Sequence, residues 1–317
     1  MLSVLIATHN GEDTIDRTLA AMSALELPPE GWQLIIVNNA STDGTEARIK
    51  AWRGRLPLLY LEEERLGKSI AMNKALRHAR GDFIIMTDDD VLPDRNWLTE
   101  WRRVADAFPQ CSIFGGAIVP EFEEAAPPFY VPRDCFGVLY GLSPNYDEGE
   151  LAPSRENGLF EISGGNFAIR KKVYDEGHQL AENFLRGTNG LMGEDTEFVR
   201  RLASSRYKAC FTPNARVRHI IHKRQTSWGW IHKRLFRHGH TLFFLMHVRP
   251  DMQSGQVRFA FPWSRLRSAP GSFLRLLIAS LRLDKEDAFK QSHGLAYDLG
   301  ALAEAFHLRW QGTLRRE

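Results

Sequence analysis

Only three cysteines, Cys111, Cys135 and Cys210, occur in the 317 residues, and no close Cys/His spacing surrounds them. That excludes a disulfide-stapled scaffold and a zinc-knuckle module, and it fits a reducing compartment. No basic segment precedes the first apolar run, so "MLSVLIATHN" reads as a first strand and not as a secretion signal. No uninterrupted apolar run approaches the roughly 20 residues of a membrane span. The formal net charge is only +2, which by itself does not point to a nucleic-acid partner. The turn after the first strand, "ATHNGEDT", has no Gly-x-Gly-x-x-Gly, which argues against a dinucleotide oxidoreductase. There is no internal repeat. The expectation is a cytoplasmic protein that can still rest on a membrane surface.

What is present is a composition of 43% hydrophobic and 25% charged residues, as in soluble globular proteins. The length suits one large or two modest domains. Short apolar runs read as strands at 3–8, in 32–45 ending in a polar turn, at 57–63, in 82–90 with its C-terminal loop, and at 111–120. Helical spacing lies between them, as with Ile15, Leu19 and Met22, and in "LGKSIAMNKALRHA" (66–79) and "NWLTEWRRVADAF" (96–108). A further helix is expected to begin near Thr42 or Asp43. Runs that do not alternate with polar residues indicate strands covered on both faces, hence a mostly parallel α/β sheet. In such sheets ligands gather beyond the strand C-termini. The polar segments "THNG", "NNASTDGT" and "TDDD" all fall there.

Residues 121–158 are rich in proline and acid and read as an irregular excursion over a cleft. Sheet and helix return in "FEISGGNFAIRKKVYDEG" (160–177), "LMGEDTEFVRRLASSR" (191–206) and "YKACFTPNARVRHIIH" (207–222). Beyond that, basic residues cluster at 223–249, and "GSFLRLLIASLRL" (271–283) is a compact basic amphipathic helix. This helix suits either a cap on the catalytic domain or attachment to an anionic membrane surface.

Three adjacent carboxylates, Asp88, Asp89 and Asp90, end an apolar strand. Unpaired they would repel one another, and a divalent cation carrying a diphosphate would neutralise them. Aspartate oxygens suit Mn²⁺ or Mg²⁺. Asp90 is assigned to the metal, Asp88 to the sugar, ribose or metal, and Asp89 to either role or to support behind them. An acidic, solvent-facing turn before Pro93 is the plainer alternative.

The ordered set "SVLIATHN", "IVNNASTDGT", "GKSIAMNKAL", "TDDD", "SGGNFAIRK", "GEDTEF" and "VRHIIHKR" resembles the inverting, nucleotide-sugar-dependent glycosyltransferases of family 2, which have the GT-A fold. The resemblance covers roughly residues 1–225. It implies a metal-dependent transfer from a nucleotide-diphosphate sugar, UDP-sugars favoured, to a saccharide or lipid-linked saccharide in polysaccharide or lipopolysaccharide biosynthesis. It also implies a GT-A catalytic domain at 1–225. Beyond it the resemblance fades, and 226–317 read from their residues as a mainly helical extension that could serve as lid or surface attachment.

By this resemblance Thr8, Asn10, Asn39, Asp43, Lys68, Asp88 and Asp89 would bind the donor. Asn39 would lie near base and ribose, where members of the family often carry aspartate. Asp43 could equally cap the following helix. Gly164 and Gly165 would let the backbone approach a ligand, with Gly165, Asn166 and Glu194 on sugar hydroxyls. Asp195 would be the base that deprotonates the acceptor. His219 would complete the metal site with Asp90 and Asp88, with His222 as its rival. Trp228 and Trp230 could stack on sugar or base, or be plain core. Two other classes stay open: a sugar-phosphate nucleotidyltransferase, whose glycine-rich basic loop "ATHNGEDT" lacks, and a nucleotide-sugar or carbohydrate-binding protein without turnover.

Overall fold

The computed structural model describes residues 1–124, 131–143, 155–156, 162–182, 192–247 and 262–310. Two compact units emerge. Met1–Glu121, Tyr140–Leu185 and Glu194–Ile221 form one, and Phe122–Leu139, Arg186–Gly193 and His222–Glu317 form the other.

The chain begins β1 (Leu2–Thr8), α1 (Ile15–Ser23), β2 (Trp32–Asn39), α2 (Thr45–Lys50), β3 (Leu58–Glu63), α3 (Lys68–Leu76) and β4 (Phe83–Thr87). It continues through β5 (Val91–Pro93), α4 (Trp97–Ala107), β6 (Cys111–Phe122), α5 (Phe136–Tyr140), β7 (Arg155–Glu156), β8 (Asn166–Arg170), α6 (Lys171–Asp175), α7 (Glu194–Ala203) and β9 (Lys208–Ile221). The strands form one sheet in the order β3-β2-β1-β4-β8-β6-β9-β5, with β7 paired to β9.

Leu34–Val37 and Phe83–Met86 are fully buried without a break, as strands covered on both faces require. β3, β2, β1 and β4 are parallel, as the apolar runs led one to expect. β8 returns antiparallel to β4 and β6, and β5 and β7 are antiparallel to β9. The sheet is therefore mixed. An apolar run signals burial on two faces and carries no information about strand direction.

Helix positions follow their apolar spacing. Ile15, Leu19 and Met22 are buried along α1, and Trp97, Leu98, Trp101 and Val104 along α4. α2 starts at Thr45 and not at Thr42 or Asp43. Asp43 accepts the Thr45 N–H at 3.1 Å, so its carboxylate stands just ahead of the first helical turn. β5, only three residues long, has no signal of its own in the sequence.

β2 and β3 lie on one side of β1 and β4 on the other. Chain order reverses there, and the crevice at such a switch point opens at the strand C-termini. The loops after Thr8, Asn39 and Thr87 meet at that end.

In the second unit, α10 (Lys285–Trp310) packs along α8 (Trp228–His247) and α9 (Trp263–Leu281). Ile231, Leu235, Phe243, Phe244, Phe289, Leu302 and Ala305 are buried. His240 and the buried Glu304 form an ion pair of 2.6 Å. Half of the proline- and acid-rich stretch 121–158 lies outside the described residues, and the described half includes α5.

Candidate active site

The three adjacent aspartates each have a different partner. Asp88 pairs with Lys68, the first residue of α3. Asp89 accepts the hydroxyl of Thr8, at the end of β1. Asp90 faces His219 Nε2 at 3.2 Å. The turn thus joins the loops beyond β1 and β4, the start of α3 and the strand β9. Gly11 makes part of this possible, because a Cβ there would overlap both the Asp89 carboxylate and the Thr8 hydroxyl.

Negative charge dominates. Burial, and then the neighbouring charges of Asp90 and Asp88, push the Asp89 carboxyl up to about 7 against the opposing Thr8 bond. Burial likewise raises Glu194, with Asp195 adding to it and Lys68 opposing. Lys68 lies 3.8 Å from Glu194 as well as beside Asp88. Burial alone would lower its pKa, but Asp88, Glu194 and Asp195 together raise it. Lys68 is therefore a permanent cation among carboxylates that outnumber it.

Register places His219. β5 and β9 pair with Val91 opposite His219, and the Ile220 N–H donates to the Asp90 carbonyl at 2.8 Å. The His219 Nδ1 lies 2.7 Å from the Tyr140 carbonyl, which can only accept, so Nδ1 carries a hydrogen. A neutral imidazole then aims a bare Nε2 lone pair at the Asp90 carboxylate. Two acceptors in that position require a cation between or upon them. Without a metal that cation is a proton. Burial lowers the His219 pKa, yet the Asp90 charge and hydrogen bond raise it overall; conversely burial raises Asp90 and His219 lowers it overall.

Asp90 Oδ1 is buried and has no hydrogen-bond partner among the described residues. An orphaned carboxylate oxygen next to a tautomer-fixed histidine fits a divalent ion that takes its other ligands from phosphate and water. Among the described residues no group of three or more His, Cys, Asp or Glu side chains could hold a metal on its own. The rival His222 instead meets Glu123 at 2.8 Å.

The "SGGN" turn brings the other side of the site. A Cβ at Gly164 would fall inside the Asp195 carboxylate, and a Cβ at Gly165 would come within 3.3 Å of Asp88 Oδ2. Two consecutive residues therefore carry the two carboxylates, one from the acidic turn and one from the start of α7. Thr87 fixes this turn by donating its hydroxyl to the Gly165 carbonyl at 2.6 Å. Asp195 Oδ1 accepts the Thr196 N–H at 2.7 Å, and its Oδ2 lies over Gly164. The close approach expected of Gly164 exists, and the group that makes it is Asp195.

Other expected contacts turn inward. Asn166 is fully buried. Its amide donates to the carbonyls of Ala117 at 2.9 Å and Ala215 at 2.7 Å and accepts from Trp97 Nε1 at 3.0 Å. It braces β6, β9 and α4 behind the site and has no free group for a sugar hydroxyl. Asn39 behaves alike: its Nδ2 donates to the Glu63 and Arg65 carbonyls, and its Oδ1 accepts the Gly67 N–H at 2.6 Å. That side chain holds the β3–α3 loop.

Asn10, in the left-handed region at φ 53°, accepts the Thr42 N–H at 2.8 Å and ties the loops after β1 and β2 together. Asp43 accepts from Thr45 and from the Glu12 N–H, bonds that lower its pKa overall against the larger opposing effect of burial. Trp228 and Trp230 belong to the second unit, where the Trp228 ring packs 4.2 Å from that of His232 and 6.0 Å from that of Phe289.

The model of the family described as "Glycosyl transferase family 2" matches residues 3–177, more than half of the chain. The chain belongs to this family. Its fold is accordingly of the GT-A type, a mixed sheet between helices with α8–α10 as a C-terminal helical extension. This family 2 glycosyltransferase is 25% identical over 227 residues to the succinoglycan biosynthesis protein ExoM of Rhizobium meliloti, covering 71% of this chain and 68% of that protein. It is 22% identical over 247 residues to the glucosyl-dolichyl phosphate glucuronosyltransferase of Haloferax volcanii, covering 76% of this chain and 75% of that one. Among solved structures it shares the fold of the mannosyltransferase PcManGT from Pyrobaculum calidifontis, determined in complex with GDP-Man and Mn²⁺. The TM-score is 0.63 and the identity 20%, over 96% of this chain and 86% of that one.

Proposed function

We propose that this family 2 glycosyltransferase moves a sugar, with inversion, from a nucleoside diphosphate to a hydroxyl of a saccharide or lipid-linked saccharide during polysaccharide assembly. The observation that carries the reading is the placement of Asp88 and Asp195 against the neighbouring residues Gly165 and Gly164. Neighbouring Cα atoms are about 3.8 Å apart, so the acidic turn and the carboxylate of α7 address one small space.

Asp195 is the base. As the acceptor oxygen bonds to donor C1, its proton passes to the Asp195 carboxylate, whose orientation the Thr196 N–H holds. The C1–O bond to the diphosphate breaks on the opposite face, and the nucleoside diphosphate leaves with the electron pair. Glu194, whose pKa burial raises, can hydrogen-bond a sugar hydroxyl. Lys68 and the N-terminus of α3 offer positive charge to the phosphates.

Asp90 and His219 would hold Mn²⁺ or Mg²⁺, with Asp88 beside them. When bound, such an ion supplies charge neutralisation to the departing diphosphate. Asn39 and Asn166 act as positioning residues. The carbonyl-bound amide of Asn39 leaves base selection to other groups, so uridine is favoured by family resemblance alone. Residues 1–225 would carry the catalysis, and the helices that follow would serve closure or attachment.

Calorimetric titration with UDP-sugars and GDP-sugars, with Mn²⁺ or with EDTA, tests the reading. One donor should bind at least about tenfold more tightly with metal, and Asp90→Ala should remove that difference. Equal affinity in EDTA, unchanged by Asp90→Ala, would defeat the metal assignment and leave Asp195 to be judged on turnover.

A further inference from the structure

Helix α9 shows three distinct faces. Ala269, Ser272, Leu276 and Ala279 recur at helical spacing and are its less exposed positions, Ala279 at only 1% exposure, on the side where α10 packs. On the other side stand Leu266, Phe273, Leu274, Leu277, Ile278 and Leu281, with Trp263 at the N-terminal end, all exposed. Leu281 reaches 76% exposure and Phe273 61%. At about 100° per residue these side chains fill an arc of about 140°.

Arg275 and Arg282 lie along one flank of this arc, and Arg267 stands within it, between the directions of Leu274 and Ile278. Residues 263–283 contain four arginines and no acidic residue. Arg265 pairs with Asp298. Arg267, Arg275 and Arg282 pair with no carboxylate among the described residues; Arg275 reaches only the neutral Gln291 at 3.2 Å and Ser272 at 3.0 Å. An apolar face this large on one helix marks a contact surface. The uncompensated guanidiniums within and beside it specify an anionic one.

We infer that α9 is an interfacial anchor for an anionic lipid bilayer. Its leucines and Phe273 enter the acyl boundary while Arg267, Arg275 and Arg282 meet lipid phosphates. No helix among the described residues is long and apolar enough to cross a membrane, so α9 lies in the plane of the surface. A second copy of the chain is the poorer occupant. A twofold contact through α9 sets the arginine flank against itself, with no acid on the helix to offset it. The membrane contact is independent of the transfer chemistry.

Flotation of the full chain with phosphatidylcholine vesicles, with and without phosphatidylglycerol, decides the matter. Anionic vesicles should carry at least about tenfold more protein than neutral ones. Leu277→Glu with Leu281→Glu should abolish flotation, while circular dichroism and the melting temperature stay as in the parent, because both side chains are exposed. Arg267→Gln, Arg275→Gln and Arg282→Gln together should remove the preference for anionic lipid. Equal flotation with both vesicle types, or flotation indifferent to the leucine changes, overturns the inference. So does a vesicle-free dimer that Leu277→Glu dissociates, since it gives the face to a second copy.

Discussion

The parallel and the antiparallel halves of the sheet assemble their parts of the site by different means. In the parallel half β1, β2 and β3 each end in a loop that opens a helix, and the loops are tied to one another. Asn10 bonds Thr42, Asn39 bonds Gly67, and Asp43 bonds the Glu12 N–H. In the antiparallel half, register across long stretches of chain does the work. Val91 faces His219, and Thr87 faces Asn166. A slip of one residue there would turn His219 to the other face of the sheet. Apart from the metal proposed at His219, donor binding should therefore depend on the first half, and turnover and rigidity on the second.

The sharpest way to break that division is Asp195→Asn. It should lower kcat by about 10³-fold or more and leave donor affinity within about twofold, read by initial rates and calorimetry. Turnover near the parent's would remove the chemistry from this half. Gly164→Ala comes next. It keeps every charge but pushes a methyl group into Asp195, and a displacement of this size should cost about 10²-fold in kcat with donor affinity intact. Parent-like kcat would show that the base does not rest where the structure places it.

Asn166→Ala leaves Trp97 Nε1 and the Ala117 and Ala215 carbonyls without their buried partner. It should destabilise the protein by ~3 kcal/mol in a denaturant titration, since unpaired buried groups cost roughly 1–3 kcal/mol each. Asn10→Gly, which suits the left-handed backbone at φ 53° in an exposed loop of the parallel half, should cost under about 1 kcal/mol. Similar losses for the two would erase the contrast.

A further effect lies outside the sheet and emerges only as the pH falls. Burial, helped by the charges of Arg234 and His293, pulls His238 down to about 4. Its unfolded value is about 6.5, so between those values the unfolded chain binds the extra proton. Stability should fall as pH drops from about 6.5 toward 4 and level off below, and His238→Asn should flatten that slope in melting curves.

Sequence alone exposed the strands, the loops at their C-termini and the acidic turn, because each is written in contiguous residues. It did not reveal what Asn166 and Asn39 bond. Their partners are mostly backbone carbonyls, which no side chain announces, and the Asn166 partners Ala117 and Ala215 lie 49 residues away on either side. The Tyr140 carbonyl that fixes His219 is invisible for the same reason. Gly164 was visible as a place of close approach, but the approaching group lies 31 residues onward in the numbering. His219 and His222 could not be separated by spacing; the pairing of β5 with β9 separates them.

Asn39 also bears on attempts to make this chain look like its relatives. An aspartate at 39 would exchange NH₂ for O⁻ and set a carboxylate against the oxygens of Glu63 and Arg65, to which the amide now donates. The swap that appears most conservative on paper, an acid in place of its own amide, would thus loosen the loop leading into α3. An aspartate at this position would replace two bonds to carbonyls with repulsion from them.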